Sequence, residues 1–267
     1  MFGKCDSGIE LIEENIGKLL NSGTYLFMGE RETGKSSFVL QFILQGLKEG
    51  KTCLVVTAGL PRDFVIYAES LGMDVSQHIS EGHLIIYEYA AGGEFSAKEF
   101  LEEVTAVIKK NDVSRFALDP LISRNISEEE ILPFSELLPA FWGNIEKRQI
   151  VSFVTLELPL SAELFVMKKK LEVSSVGVFF LKSVSETEKI LSVRKLTGQS
   201  ALSNKEFRFT IEKNAGIQEV KESNSLGFHR YFSKDKPAGS TAGSTPGSIT
   251  FQKEEKGEKK KKITFRI

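Results

Sequence analysis

The sequence predicts an α/β fold: a mainly parallel sheet with helices on both faces and an antiparallel extension at its C-terminal end. Three observations carry that expectation. Short apolar runs alternate with helix-period segments from residue 9 to about residue 171, the order that produces right-handed crossovers. One junction, TYLFMGERETGKSSFVLQF (24–42), reads as strand, glycine-bounded turn and helix without a break. Beyond it, the last three strand-like runs follow one another with no helical segment between them.

Taken in order, Ile9 to Leu20 sets Ile9, Leu11, Ile12, Ile16, Leu19 and Leu20 mostly on one face, which predicts an amphipathic helix. Thr24–Met28 is a short apolar strand, and a helix over 35–48 follows its turn. TCLVVT (52–57) is a buried strand containing Cys53. Pro61 suits a first helical position, where its missing N–H costs nothing, and that helix reaches Leu71 before Gly72 stops it. HLIIYEY (83–89) is the next strand. Ser96 with Glu99 makes a capping box for a helix through Lys109. RFALD (115–119) is an apolar strand ending in an acid. Ser127 with Glu130 makes a second box, for a helix towards Arg148 that Pro133 and Pro139 are expected to break. Ile150–Thr155 is another buried strand, helical residues 161–171 follow, and strands lie near 176–184, 188–196 and 205–213.

The turn after the first strand carries chemistry. Residues 29–36 read G-x-x-x-x-G-K-S, the pattern of a phosphate-binding loop when a strand precedes it and a helix follows. Glycines let the chain bend so that successive backbone N–H groups converge on an anion, and the new helix adds its own free N–H groups and dipole. Lys35 supplies a mobile positive charge for the outer phosphates, and the Ser36 hydroxyl is a Mg²⁺ ligand type. Gly29, Glu30, Arg31, Glu32, Thr33, Gly34, Lys35, Ser36 and Ser37 are therefore the expected nucleotide cradle, with ATP and Mg²⁺ the expected ligands. The competing reading is a loop that keeps the fold without the ligand. Glu30 and Glu32 favour it, because negative charge beside a triphosphate is unhelpful. Asp119 ends its strand where a second Mg²⁺-orienting carboxylate is required, at the C-terminal edge of the sheet.

Composition bounds the rest. The apolar share of 41% and charged share of 27% are ordinary for a soluble protein with a real core. MFGKCDSGIELIEEN has acids where a signal peptide needs an apolar centre, and no apolar run approaches the ~20 residues of a membrane span. Cys5 and Cys53 make no metal-ligand spacing and no disulfide framework, which fits a reducing cytoplasm. His78, His83 and His229 show no ligand spacing either. The net charge of −1 conceals a split: residues 219–267 hold 11 Lys+Arg against 6 Asp+Glu, leaving 24 against 30 elsewhere. That stretch contains PAGSTAGSTPGS (237–248), too poor in apolar residues to pack. The reading is one domain over 1–218 and a flexible Gly/Ser/Thr/Pro- and Lys-rich tail over 219–267. Two ITF segments (249–251 and 263–265) have the character of edge-adding strands, although a disordered state is the preferred reading. Lys259–Lys262 has the charge to attract nucleic acid or an anionic membrane, although a solubilising role is the preferred reading.

With the loop and Asp119 in place, the chain resembles the KaiC-like branch of the RecA superfamily of P-loop ATPases. The likeness runs from about residue 7 to 213, through SGIELI, GERETGKSS, AESLGMDV, EGHLIIYEY, RFALDPL, LEVSSVGVFFL, SVRKLTG and EFRFTI. It implies a RecA-like P-loop NTPase core, often hexameric, with ATP between neighbouring subunits. It also implies catalytic positions, and here they depart from the pattern. Members commonly carry a Glu pair just after the second strand, where one carboxylate polarises the attacking water. That place reads Thr57-Ala58-Gly59, and none of these acts as a general base at neutral pH. The K-x-R that members offer across the interface to the γ-phosphate reads Lys195-Leu196-Thr197, with Arg194 adjacent. Lys195 is retained and the arginine is lost. Glu32 stands where the commonest loop has glycine. Glu157, ending the fifth strand, is the best substitute base, with a structural or sensor role preferred.

The leading expectation is thus a cytoplasmic ATP-binding regulator or assembly protein, a homo-oligomer with an unnamed protein partner, hydrolysing ATP slowly or not at all. The alternatives are an active ATPase in signalling or a motor complex, and a RecA-like DNA-binding protein. Lys168-Lys169-Lys170 lies where recombinases contact DNA, and a basic run binds phosphate backbones. A solvated helix face explains it equally well in a net-acidic body, so DNA is not the expected partner.

Overall fold

The structure, a computed structural model, describes residues 3–89, 96–122 and 126–221. The expectations for the 237–248 linker, the two ITF segments, Lys259–Lys262 and His229 lie outside the described residues.

A nine-stranded sheet forms the centre. Its parallel strands are β3 (Gly23–Gly29), β4 (Cys53–Thr57), β5 (Leu84–Glu88), β6 (Arg115–Asp119), β7 (Val151–Glu157) and β8 (Gly177–Ser183). The antiparallel extension adds β9 (Lys189–Leu196), β10 (Glu206–Glu212) and β11 (Gly216–Glu219). Across the sheet the order is β11-β10-β9-β8-β3-β7-β6-β4-β5. The meander differs from expectation by one strand at each end. β8 pairs parallel with β3 and antiparallel only with β9, and β11 is a fourth strand that the sequence reading did not include. By chain contacts the first unit extends through Lys221.

Both faces of the sheet are covered, so its strands are apolar on both sides. Tyr25 and Phe27 of β3 face one core with Val55, Ala117, Phe153 and Phe179. Leu26 and Met28 face the other with Leu54, Val56, Leu118, Val154 and Leu156. The first core is closed by α1 (Glu10–Asn15) and α2 (Lys35–Lys48), and the second by α5 (Ala97–Lys110), α6 (Glu128–Lys147) and α7 (Ala162–Ser174). Phe42 of α2 stacks on Phe153 with ring centroids 3.9 Å apart. Each fully buried ring contributes roughly 1.5–3 kcal/mol, so the buried phenylalanines among the described residues belong to the core rather than to a site. Trp142 is buried beside Phe116 and Phe141 in the same way.

Three local expectations are corrected. The helix expected over Ile9–Leu20 stops at Asn15, because Gly17 turns the chain at φ +86° and Leu19–Leu20 (β2) pairs instead with Lys4–Cys5 (β1). α6 runs unbroken through Pro133 and Pro139. Both prolines lie on the exposed stripe, where their rings face solvent and not the core, while Ile131, Phe134, Leu138 and Trp142 stay buried on the opposite stripe. The Ser127–Glu130 box does not form: Ser127 makes no side-chain cap bond, and Glu130 Oε2 accepts instead from the Ala97 N–H at 3.1 Å. The Ser96 cap does form, accepting from the Glu99 N–H at 3.4 Å.

Two short helices complete the chain, α3 (Pro61–Ser70) and α4 (Ser76–Ser80). Arg115, at the start of β6, is only 3% exposed. Its guanidinium donates to Phe42 O at 2.9 Å, to Asp6 O at 2.8 Å and to the Glu49 carboxylate at 2.9 and 3.0 Å. Among the described residues no helix is long and apolar enough to cross a membrane.

Candidate functional site

Four parallel strands end at one edge of the sheet and deliver the residues singled out above. Gly29 of β3 is in register with Glu157 of β7, and Thr57 of β4 is in register with Asp119 of β6. β7 lies between β3 and β6, so Glu157 and, one strand further, Asp119 lie on the same side of the point where the β3–α2 turn begins.

The turn itself is shaped for backbone approach. Gly34 takes φ +94°, and a Cβ there would meet Ile211 Cδ1 at 2.7 Å. A Cβ on Gly29 would lie 2.5 Å from Leu181 O and 2.7 Å from Thr33 Oγ1. Gly29 is therefore required by space, since its neighbour is backbone, and Gly34 by its left-handed conformation. Thr33 Oγ1 donates to Glu30 O at 2.8 Å, bracing the turn. Lys35, 8% exposed, donates from Nζ to Gly29 O at 2.9 Å and to Glu30 O at 2.5 Å. Burial lowers its pKa, opposed by the Asp119 and Glu157 charges. Ser36 is exposed at the first turn of α2, and Ser37 is buried with its hydroxyl on Tyr67. This arrangement fits a nucleotide phosphate chain: converging N–H groups at a helix start, and a lysine whose present partners are two exchangeable carbonyls.

The Mg²⁺ pair also fits. The Thr155 hydroxyl donates to Asp119 Oδ1, and Ser36 stands close enough to the same carboxylate to favour its charged form. Burial raises the Asp119 pKa, and the Thr155 and Ser36 hydroxyls and the Lys35 charge oppose that shift. A divalent ion brought to Ser36 and Asp119 would supply positive charge to a half-buried carboxylate.

Two features work against tight binding or rapid chemistry. Glu32 is exposed and sits at φ +61°, the left-handed region that glycine adopts freely. Arg31 Nε donates to Glu157 Oε1 at 2.6 Å, so the best substitute base already holds a cation. At the end of β4, Thr57 Oγ1 accepts from the Gly59 N–H at 3.1 Å and closes a small turn where the acidic pair was sought. An expected result follows for Glu32→Gly. A unit charge about 4 Å from another is worth ~1 kcal/mol in water, roughly a factor of five in binding. The variant should bind Mg·ATP about fivefold more tightly by calorimetric titration, and weaker binding would remove Glu32 as the cause.

Lys195 is not brought to this edge within the chain. It pairs in register with Val178, at the opposite end of β8 from the turn, and its Nζ donates to Glu172 O at 2.9 Å and Val173 O at 2.8 Å at the end of α7. The Lys168–Lys170 run is partly neutralised: Lys168 and Lys169 pair with Glu172 at 3.2 and 3.9 Å, and Lys170 reaches Ser135 Oγ at 3.3 Å. Two residues that sequence reasoning missed belong to the edge. Thr155 orients Asp119, and Lys189, buried at the start of β9, lies over Gly34 with its Nζ on Glu186 O at 3.3 Å. Thr155 shares a strand with Glu157, but nothing in the sequence linked it to Asp119, and nothing local marked Lys189.

Comparison with known proteins agrees with this geometry. The crystal structure of a KaiC-like protein from the hyperthermophilic archaeon Pyrococcus horikoshii OT3 matches with a TM-score of 0.70 at 25% identity, covering 83% of this chain and 100% of that one. No curated protein matches. The family profile of the KaiC ATPases matches residues 5–224. With a RecA-like sheet, the phosphate-loop turn and its Asp119 partner all inside that span, the chain belongs to the KaiC ATPase family.

Proposed function

We propose that this protein binds Mg·ATP at the β3–α2 turn as a switching ligand and hydrolyses it very slowly or not at all, serving regulation or assembly. One observation carries the reading: the end of β4 presents Thr57-Ala58-Gly59, with the Thr57 hydroxyl spent on a local turn, where hydrolysis needs a carboxylate. The backbone of the turn and Lys35 hold phosphates, and Ser36 and Asp119 hold the ion. Mg·ATP, when bound, supplies the charge that organises the edge and a transferable phosphoryl group. Thr57 is committed to its own turn. Glu157 is engaged by Arg31. Parallel measurements of ATP affinity and steady-state phosphate release test the reading: binding without turnover supports it, and turnover at an ordinary enzymatic rate overturns it.

The same reading places the ligand at a boundary between copies of the chain. Lys195 would reach a neighbour's nucleotide only by leaving Glu172 O and Val173 O. A ligand that binds the assembled state more tightly stabilises it by mass action. Mg·ATP is therefore expected to shift the particle to a larger mass in sedimentation, and Lys195→Ala is expected to blunt that shift. An unchanged species with and without Mg·ATP would remove the boundary from the proposal.

A further inference from the structure

Away from the nucleotide site, the end of α4 gathers two imidazoles and a carboxylate. The helix is five residues long and closes in a paired C-terminal turn: Gly82 takes φ +75°, its N–H donates to Ile79 O at 3.1 Å, and the His83 N–H donates to His78 O at 2.9 Å. That second bond folds His83 back to His78, a proximity that their spacing in the sequence does not announce. One ligand atom from each of His78, Glu81 and His83 lies within 4.8 Å of the other two.

The pair nearest closure already has the right separation. His83 Nδ1 and Glu81 Oε2 are 3.4 Å apart. Two ligands on a tetrahedral ion with bonds of about 2.0–2.1 Å stand roughly 3.4 Å from each other. Glu81 is oriented from behind, since Gln77 Nε2 donates to its Oε1 at 2.7 Å and leaves Oε2 toward the histidines. His78 Nδ1 is buried with no hydrogen-bond partner among the described residues, the kind of polar atom whose isolation is costly. The backbone under the cluster is fixed to the sheet, because His83 O accepts from the Cys53 N–H at 2.8 Å. Modest rotation of exposed side chains completes the closure: His83 and Glu81 are 50% and 42% exposed.

We propose that His78, Glu81 and His83 form a binding site for a late first-row divalent metal, with water completing its shell. Two imidazoles and one carboxylate suit Zn²⁺ and its neighbours and discriminate against Mg²⁺, so this site is separate in chemistry from the nucleotide edge. Bound there, the ion ties α4 to the turn entering β5, at the edge of the sheet.

The test uses the full-length, nucleotide-free protein in buffer containing Mg²⁺, with Zn²⁺ as the titrant. One equivalent should bind and raise the thermal midpoint, and Co²⁺ in its place should give a visible spectrum of nitrogen and oxygen ligation. His83→Ala and Glu81→Gln change exposed side chains and should each weaken Zn²⁺ binding at least about tenfold while leaving the metal-free midpoint and ATP affinity unchanged. His78→Ala should do the same to Zn²⁺, with His83→Ala decisive should the partly buried site fail to fold. The proposal is overturned by absence of a bound equivalent, by Zn²⁺ affinity that survives both exposed substitutions, or by its loss in Cys5→Ser alone.

Discussion

Purified wild-type protein is expected to bind Mg·ATP and to release phosphate at least two orders of magnitude below the ~1–10 s⁻¹ of ordinary enzymes. Transfer to water needs the phosphates held, the developing charge neutralised and the water oriented. Lys35, Ser36 and Asp119 are placed for the first need and, with Mg²⁺, part of the second. Water orientation has no free carboxylate at the end of β4, and loss of a general base typically costs about 10²–10⁴-fold. Thr197, standing where the resemblance implies an arginine, would weaken charge neutralisation as well, and the two losses need not add. A measured rate near ordinary values would sink the idea. Loss of that rate in Glu157→Gln would then identify Glu157 as the base, freed from Arg31 when ligand binds. With a near-zero rate, Thr57→Glu combined with Ala58→Glu is the restoration to attempt.

Lys35→Ala is expected to lower ATP affinity about 100-fold or more, with the fold intact. The lysine contributes charge-assisted contacts of about 1.5–3 kcal/mol each to phosphate, and two such contacts already correspond to two decades in Kd. Its Nζ donates to Gly29 O and Glu30 O; Gly29 O also accepts from the Leu158 N–H at 3.0 Å and Glu30 is exposed, so neither carbonyl is stranded when the lysine is removed. Far-ultraviolet circular dichroism should therefore be unchanged while titration shows little binding. Unchanged affinity would take the turn out of the functional account altogether.

What the sequence disclosed was whatever local pattern controls. Continuous apolar runs marked the parallel strands because both faces of this sheet are buried, and the glycine spacing marked the turn because only backbone geometry is at stake there. Asp119 was legible as an acid closing such a run. Short elements were not: β1 and β2 are two residues each, and α4 is five residues with no buried side chain, so neither leaves a periodic trace. The prolines of α6 misled because their cost depends on which stripe faces solvent. Glu130 was read as a cap because a motif records spacing and cannot record that Ala97 lies within reach. The pairings that tune the site, Arg31 with Glu157 and Thr155 with Asp119, span 126 and 36 residues and exist only after the sheet is assembled.

The placement of Arg115 has a mechanical consequence. β6 grips α2 at two levels: Asp119 engages Ser36 where the helix begins, and Arg115 engages Phe42 O and Glu49 towards its end. A rod pinned twice to the same bar can neither slide along it nor swivel. The turn holding Lys35 and the strand holding Asp119 thus share one rigid frame. On the proposed reading, any rearrangement that accompanies nucleotide binding would fall to parts outside the frame, the turn after β4 and the α7 end held by Lys195.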